Sequence, residues 1–196
     1  MKTLLSGVLL FVSLILAACE TTNSIPYKAS TTNIIAIQQA TGAKGSKVSV
    51  GSVELAPGVD ESPLCRLAGP IKVSPGKTPS QYIKEAFIEE LFAAQAYDPN
   101  SANVVTATVE KLAFSSISPA SWTIGLKIKS TTSPNGYSAS VDYKFNTSFT
   151  AYGACKNVAD AFGPAVQELL KQVVTNPGFP ALTGGSVLAS GSSDKH

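Results

Sequence analysis

The chain has 196 residues, 15 Lys and Arg against 13 Asp and Glu, a formal net charge of +2, 3 cysteines and 1 histidine. It contains no basic run of five or more residues, so it lacks the electrostatic footprint of a nucleic-acid binder or of a polybasic membrane surface. The histidine is His196, the last residue, which leaves no Ser-His-Asp or Cys-His arrangement, no histidine metal cluster and no histidine general base.

The chain opens on Met1-Lys2, an apolar run from Leu4 to Leu16, and then Leu16-Ala17-Ala18-Cys19. The run falls short of the roughly 20 residues that span a bilayer as a helix. A basic residue, a short apolar core and small residues together describe a secretory signal peptide. The cysteine directly after Leu-Ala-Ala resembles the bacterial lipoprotein signal, the lipobox. In that family the Cys thiol takes a diacylglyceryl group, a dedicated peptidase cuts before it, and the freed amine is acylated. The resemblance implies that residues 1–18 are lost as a signal peptide and that Cys19 is the lipidation site. The chain is then expected in the bacterial cell envelope, held by acyl chains. One chain holds weakly, at roughly 0.8 kcal/mol per buried methylene, whereas two or three hold stably. Residue 20 is Glu, not the Asp that favours inner-membrane retention in the resembling enterobacterial lipoproteins, so the outer membrane, facing the periplasm, is the expected address.

Residues 19–47 are rich in Thr, Ser, Asn, Gln, Ala and Gly and read as the lipidated N-terminus and a flexible tether. Ile34-Ile35-Ala36-Ile37 interrupts that stretch as a short strand or a docked segment. The folded domain is expected over 48–182. Val48 to Leu55 alternates apolar with small or polar residues, the period of a half-buried strand. A Pro/Gly-punctuated connection follows through Cys65. With Cys19 consumed by lipid, Cys65 and Cys155 are the remaining pair in an oxidising compartment, and a disulfide between them is expected.

Thr78-Pro79-Ser80-Gln81 is a helix start, with Thr78 as N-cap, Pro79 at the first position and Gln81 completing a capping box. Ile83, Phe87, Leu91 and Ala94 then recur at helical spacing as far as Asp98-Pro99-Asn100. Val105, Ala107 and Val109 share one strand face, while Leu112 and Phe114 have the opposite parity, which predicts a bulge between them. Trp122, Ile124, Leu126 and Ile128 alternate in a second strand. After the turn Pro134-Asn135-Gly136, Ala139, Val141, Tyr143, Phe145, Thr147 and Phe149 alternate in a third. A final helix is expected over about 157–175, with a kink or restart at Gly163-Pro164. Residues 183–196 read as a disordered tail.

The predicted fold class is α+β, an antiparallel four-stranded sheet in the order β-α-β-β-β-α with two helices packed on one face. This order behind a lipobox resembles small envelope lipoproteins of the YajG type and, more distantly, the ABC-transport auxiliary lipoproteins and LptE. The carrying residues are Tyr82-Ile83 through Glu90-Leu91, Trp122-Thr123-Ile124, Tyr143, and Phe162-Gly163-Pro164 through Leu169-Leu170. The resemblance implies a non-enzymatic accessory role at the outer membrane.

No GxSxG elbow, Walker A loop or GxGxxG occurs. Glu89-Glu90 and Asp60-Glu61 read as solvated charge, and Trp122 as a core aromatic. Thr123, Ser140, Asn146 and Ser148 read as a solvated Ser/Thr/Asn face of the sheet. No catalytic, cofactor-binding or metal residue is nominated, and the chain is not expected to be an enzyme. The expected partners are the membrane, through the acyl chains on Cys19, and an envelope protein; nucleic acid is not one. The first functional reading is an accessory or protein-interaction module. The alternative is a carrier or ABC-transport auxiliary component handling a lipid or apolar ligand, which needs an apolar cavity of roughly 300 Å³ between helices and sheet.

Overall fold

The computed structural model describes residues 21–22, 26–42 and 45–185. Residues 1–18, read above as a signal peptide, Cys19 and the residues beyond Gly185 lie outside them. The elements in chain order are β1 (Thr21–Thr22), α1 (Thr31–Thr41), β2 (Ser49–Leu55), β3 (Ile71–Lys72), α2 (Pro79–Ala93), β4 (Val104–Ser115), β5 (Ala120–Ser130), β6 (Tyr137–Phe145), α3 (Ala151–Val174) and α4 (Phe179–Leu182).

The main sheet has the order β2-β4-β5-β6, and it is mixed rather than antiparallel. The pairs β4–β5 and β5–β6 are antiparallel, but β2 runs parallel to β4, with Val50 opposite Val105 and Leu55 opposite Val109. The physical reason is the crossover. The chain leaves β2 at one end of the sheet, returns over it through α2, and enters β4 at the end where β2 began, which makes the two strands parallel. Alternation along a strand reveals which face is buried, not which way a neighbour runs.

The expected helix start is present. Thr78 accepts from the Gln81 amide, the Gln81 side chain accepts from the Thr78 amide, and Pro79 opens α2. The β4 bulge falls between Val109 and Lys111, where the pairing with β5 shifts. This shift keeps Val105, Ala107, Val109 and Leu112 all buried. The β5–β6 turn closes on Gly136, whose φ is 54° and whose missing Cβ would lie 1.8 Å from the Ile128 carbonyl oxygen, so only glycine fits.

Three parts of the architecture depart from the sequence reading. Ile34 to Ile37, expected as a short strand or a docked segment, are docked on α2 and α3, but as a helix, α1; the tether expected over 19–47 is folded there. Helix α3 begins at Ala151, so Cys155 sits inside it rather than before it, and it continues through Pro164 without a restart. The last strand ends at Phe145, which leaves Phe149 in a loop instead of on the buried face.

The core lies between the sheet and the pair α2/α3, with Trp122, Ile124, Leu126 and Ile128 from β5 against Phe162, Val166, Leu169 and Leu170 from α3. A chain of edge-on rings crosses it: Phe114 to Trp122 (5.0 Å), Trp122 to Phe162 (5.0 Å), Phe162 to Tyr82 (5.4 Å) and Tyr82 to Tyr27 (6.1 Å). Among the described residues no helix is long and apolar enough to cross a membrane.

Candidate interaction site

The α2 and α3 N-termini, the β4–β5 hairpin and the β2–β3 connection all emerge at one end of the sheet. There Cys65 and Cys155 form a disulfide with Cα atoms 5.8 Å apart, and both residues are fully buried. A structural bond of this kind belongs to an oxidising, extracytoplasmic setting. From Cys65 the chain makes a tight turn. The Cys65 amide donates to the Gly69 carbonyl (2.9 Å) and the Ala68 amide to the Cys65 carbonyl (3.0 Å). Arg66 takes a left-handed φ of 51°, a conformation that a non-glycine residue holds only where its surroundings enforce it.

The enforcement is visible. The Arg66 guanidinium donates to the Ser116 hydroxyl (3.1 Å) and carbonyl (2.8 Å) in the β4–β5 hairpin. The Thr147 hydroxyl donates to the same Ser116 carbonyl, and the Asn157 amide reaches the Asn146 carbonyl (2.9 Å). Three loops are thereby tied to one another and to α3. Beside the exposed Arg66 and Asn146 they display a set of apolar side chains: Leu64, Leu67, Ile117, Phe149 and Tyr152 are all exposed, with Leu67 at 102 % and Phe149 at 107 %. Beside them is an open groove of about 600 Å³ lined by Pro119, Lys144, Phe145 and Phe149. Loop tips are ordinarily polar, and clustered exposed apolar side chains mark interaction surfaces. The opposite end of the sheet carries the polar turn 131–136, Thr-Thr-Ser-Pro-Asn-Gly.

The sequence reading paired Cys65 with Cys155 but did not single out Leu64, Leu67, Ile117 or Phe149. The available signal was two leucines flanking Cys65 inside a Pro/Gly-rich connection. Trp122 is fully buried and donates from its indole nitrogen to the Val158 carbonyl (2.8 Å), a core role. Thr123 and Ser140 sit on the helix-free sheet face as expected, whereas Asn146 and Ser148 lie beyond the end of β6.

Glu90 overturns the reading of the acidic pair as solvated. It is fully buried, and its Oε1 accepts from the Tyr27 hydroxyl (2.7 Å), the Ser30 amide (3.0 Å) and the Asn33 side-chain amide (3.0 Å). Glu89 accepts from the Ala29 amide (3.2 Å). The segment leading into α1 is thus stitched onto α2, and the covering element is the one the sequence reading took for tether. The signal was present, because Glu90 sits on the same stripe as Ile83, Ala86 and Phe87. Replacing Glu90 with Ala removes the acceptor of the part-buried Tyr27 hydroxyl and Ser30 amide and leaves the Asn33 side-chain amide only the Gln167 carbonyl (3.2 Å), and a loss of about 2 kcal/mol is expected. Limited proteolysis should then cut between residues 26 and 41 before anywhere else in the domain; protection equal to wild type would contradict the role.

Beside this node a cleft of about 190 Å³ is lined by Tyr27, Tyr82, Asp160, Gly163 and Gln167. The buried Tyr82 hydroxyl has no partner among the described residues. Burial holds Tyr27, Tyr82 and Tyr137 above the ordinary tyrosine pKa of 10.0, with Glu90 and Glu89 adding to the shift at Tyr27 and Glu89 at Tyr82. The folded chain therefore binds these protons more tightly than the unfolded chain. Their stabilisation is complete below about pH 10 and falls as pH rises above it, at up to about 1.4 kcal/mol per pH unit for each such tyrosine. Urea midpoints should drop steeply as pH rises above about 10, and Tyr27→Phe should flatten the slope. An unchanged slope would contradict the assignment to Tyr27.

Among the described residues no three His, Cys, Asp or Glu side chains converge as a metal site would require. Ser74 and Lys77 stand at Ser-x-x-Lys spacing, but the Lys77 amine is ion-paired with Glu85.

No protein-family model matches the chain, and no curated protein matches it. Among solved structures it is similar to the crystal structure of protein XCC0632 from Xanthomonas campestris, of the DUF330 family. That likeness has 14 % sequence identity, a TM-score of 0.49, and coverage of 70 % of this chain and 85 % of that one.

Proposed function

We propose that this protein is a lipid-anchored envelope lipoprotein, held at the outer membrane through acyl chains on Cys19, that acts as a non-enzymatic accessory or interaction module. The anchoring part rests on Leu16-Ala17-Ala18-Cys19 behind an apolar run and agrees with the disulfide. The choice of a module over a carrier is carried by one observation. The cavity between the helices and the sheet among Ile83, Phe87, Leu126, Ile128 and Leu170 measures about 10 Å³. That is barely room for a single water and far below the roughly 300 Å³ that a drug-sized or lipid-like ligand needs. A protein built this way works with its surface.

Native mass spectrometry of the intact protein, released from envelopes in mild detergent, separates the two readings. The expected species is the chain with its covalent acyl groups and nothing more. A stoichiometric, non-covalent lipid that survives detergent exchange would overturn the module reading in favour of the carrier.

A further inference from the structure

The path of the N-terminus bears on the apolar tip. Thr21 pairs with Ile71 and Thr22 with Lys72, and the strands run parallel. Ile71 in turn leaves the Cys65–Gly69 turn directly, with the Ile71 amide donating to Pro63 (3.1 Å) and Leu64 bridged to Pro70. One residue, Glu20, separates Thr21 from Cys19, so covalent geometry keeps Cys19 within about 7 Å of Thr21. A flexible tether over 19–47 would instead let the domain wander about 30 Å from its anchor. Strand pairing at β1 and the docking of α1 on Glu90 remove that freedom.

We infer that the tip formed by Leu64, Leu67, Ile117, Phe149 and Tyr152 rests in the interface of the bilayer to which Cys19 is anchored. This rests on the acylation of Cys19 proposed above. Thr21 lies opposite Ile71, two residues after the Cys65–Gly69 turn that carries Leu67, so covalent reach alone keeps the anchor at the same end of the molecule as the tip. The acyl chains already supply stable attachment; the tip contributes orientation. Leu, Ile and Phe enter the acyl boundary, and Tyr152 presents an apolar ring with a polar end, the chemistry favoured at the headgroup level. The loop ties through Ser116 and the disulfide keep these side chains outward at no further ordering cost, and the polar turn 131–136 is directed away from the membrane.

The test uses the intact acylated protein in phosphatidylcholine vesicles whose chains are, or are not, brominated. Trp is introduced singly as Leu67→Trp, Phe149→Trp or, at the far end, Asn135→Trp. Leu67 and Phe149 are fully exposed, so these changes leave the fold intact, and the buried Trp122 provides a constant background. Emission from positions 67 and 149 should be blue-shifted and lost to bromine quenching, with position 135 unquenched. Equal quenching at all three positions, or at none in the acylated protein, would overturn the orientation alone. A blue shift at 67 without bromine quenching would mean that protein covers the tip, and would also overturn it. The acyl mass on Cys19 is read on the same sample; its absence would overturn the anchoring reading and the orientation with it.

Discussion

The double variant Cys65→Ala, Cys155→Ala should lose about 4 kcal/mol of stability, and its thermal midpoint should fall by roughly 10 °C. The bridge joins residues separated by 90 positions. Loop-closure entropy for a ring of that size is worth roughly 4–5 kcal/mol, an upper bound that native-state adjustments reduce. The effect should also be local. Without the bond, the Cys65–Gly69 turn keeps its own hydrogen bonds, the packing of Ala68 and Ile71 on the core, and the exposed contact of Arg66 with Ser116, and it loses its covalent tie to α3. Thermal melts of the oxidised protein and the double variant decide the matter. A loss below about 1 kcal/mol would mean that the loops hold one another without the bond.

Trp122→Ala should be comparably damaging, at about 3–5 kcal/mol. The indole is the largest side chain in the core, sits edge-on between Phe114 and Phe162, and satisfies its N–H on Val158. Its removal opens a void where β5 meets α3, against walls of packed rings that cannot collapse to fill it. Trp122→Phe keeps much of the volume and loses the hydrogen bond, so a smaller cost of roughly 1–2 kcal/mol is expected. The chain has 1 Trp, so denaturation of these variants is followed by far-ultraviolet circular dichroism. A change under about 1 kcal/mol for Trp122→Ala would contradict the placement of this ring at the centre of the core.

Elements whose stability is local were legible in the sequence. The α2 capping box, the Pro134-Asn135-Gly136 turn and the parity change that marks the β4 bulge each rest on residues within a few positions of one another. Helix α1 was hidden for the opposite reason. Thr31 to Thr41 has no side-chain cap at its N-terminus, no acidic first turn and no basic last turn, so it is a helix because Asn33 and Ile37 dock, not because its sequence favours one. The parallel β2–β4 pair was hidden because period-two alternation carries no direction. Phe149 continued that alternation past the end of its strand, which placed an exposed loop residue on the buried face. Of the tip, only the cysteine pair could be read by counting; the convergence of Leu64, Leu67, Ile117 and Phe149 depends on three loops meeting across long sequence separations. Glu90 lay on the buried stripe of α2, but its partners belong to the segment taken for tether.

Mass analysis of the N-terminal peptide from the membrane fraction tests the central claim, lipid anchoring at Cys19, most directly. The expected peptide begins at Cys19 and carries a diacylglyceryl group and an acylated amine, and Cys19→Ser abolishes both the processing and the partition into detergent. A mature chain that starts elsewhere, or a Cys19 with a free thiol in protein that still fractionates with membranes, would contradict it.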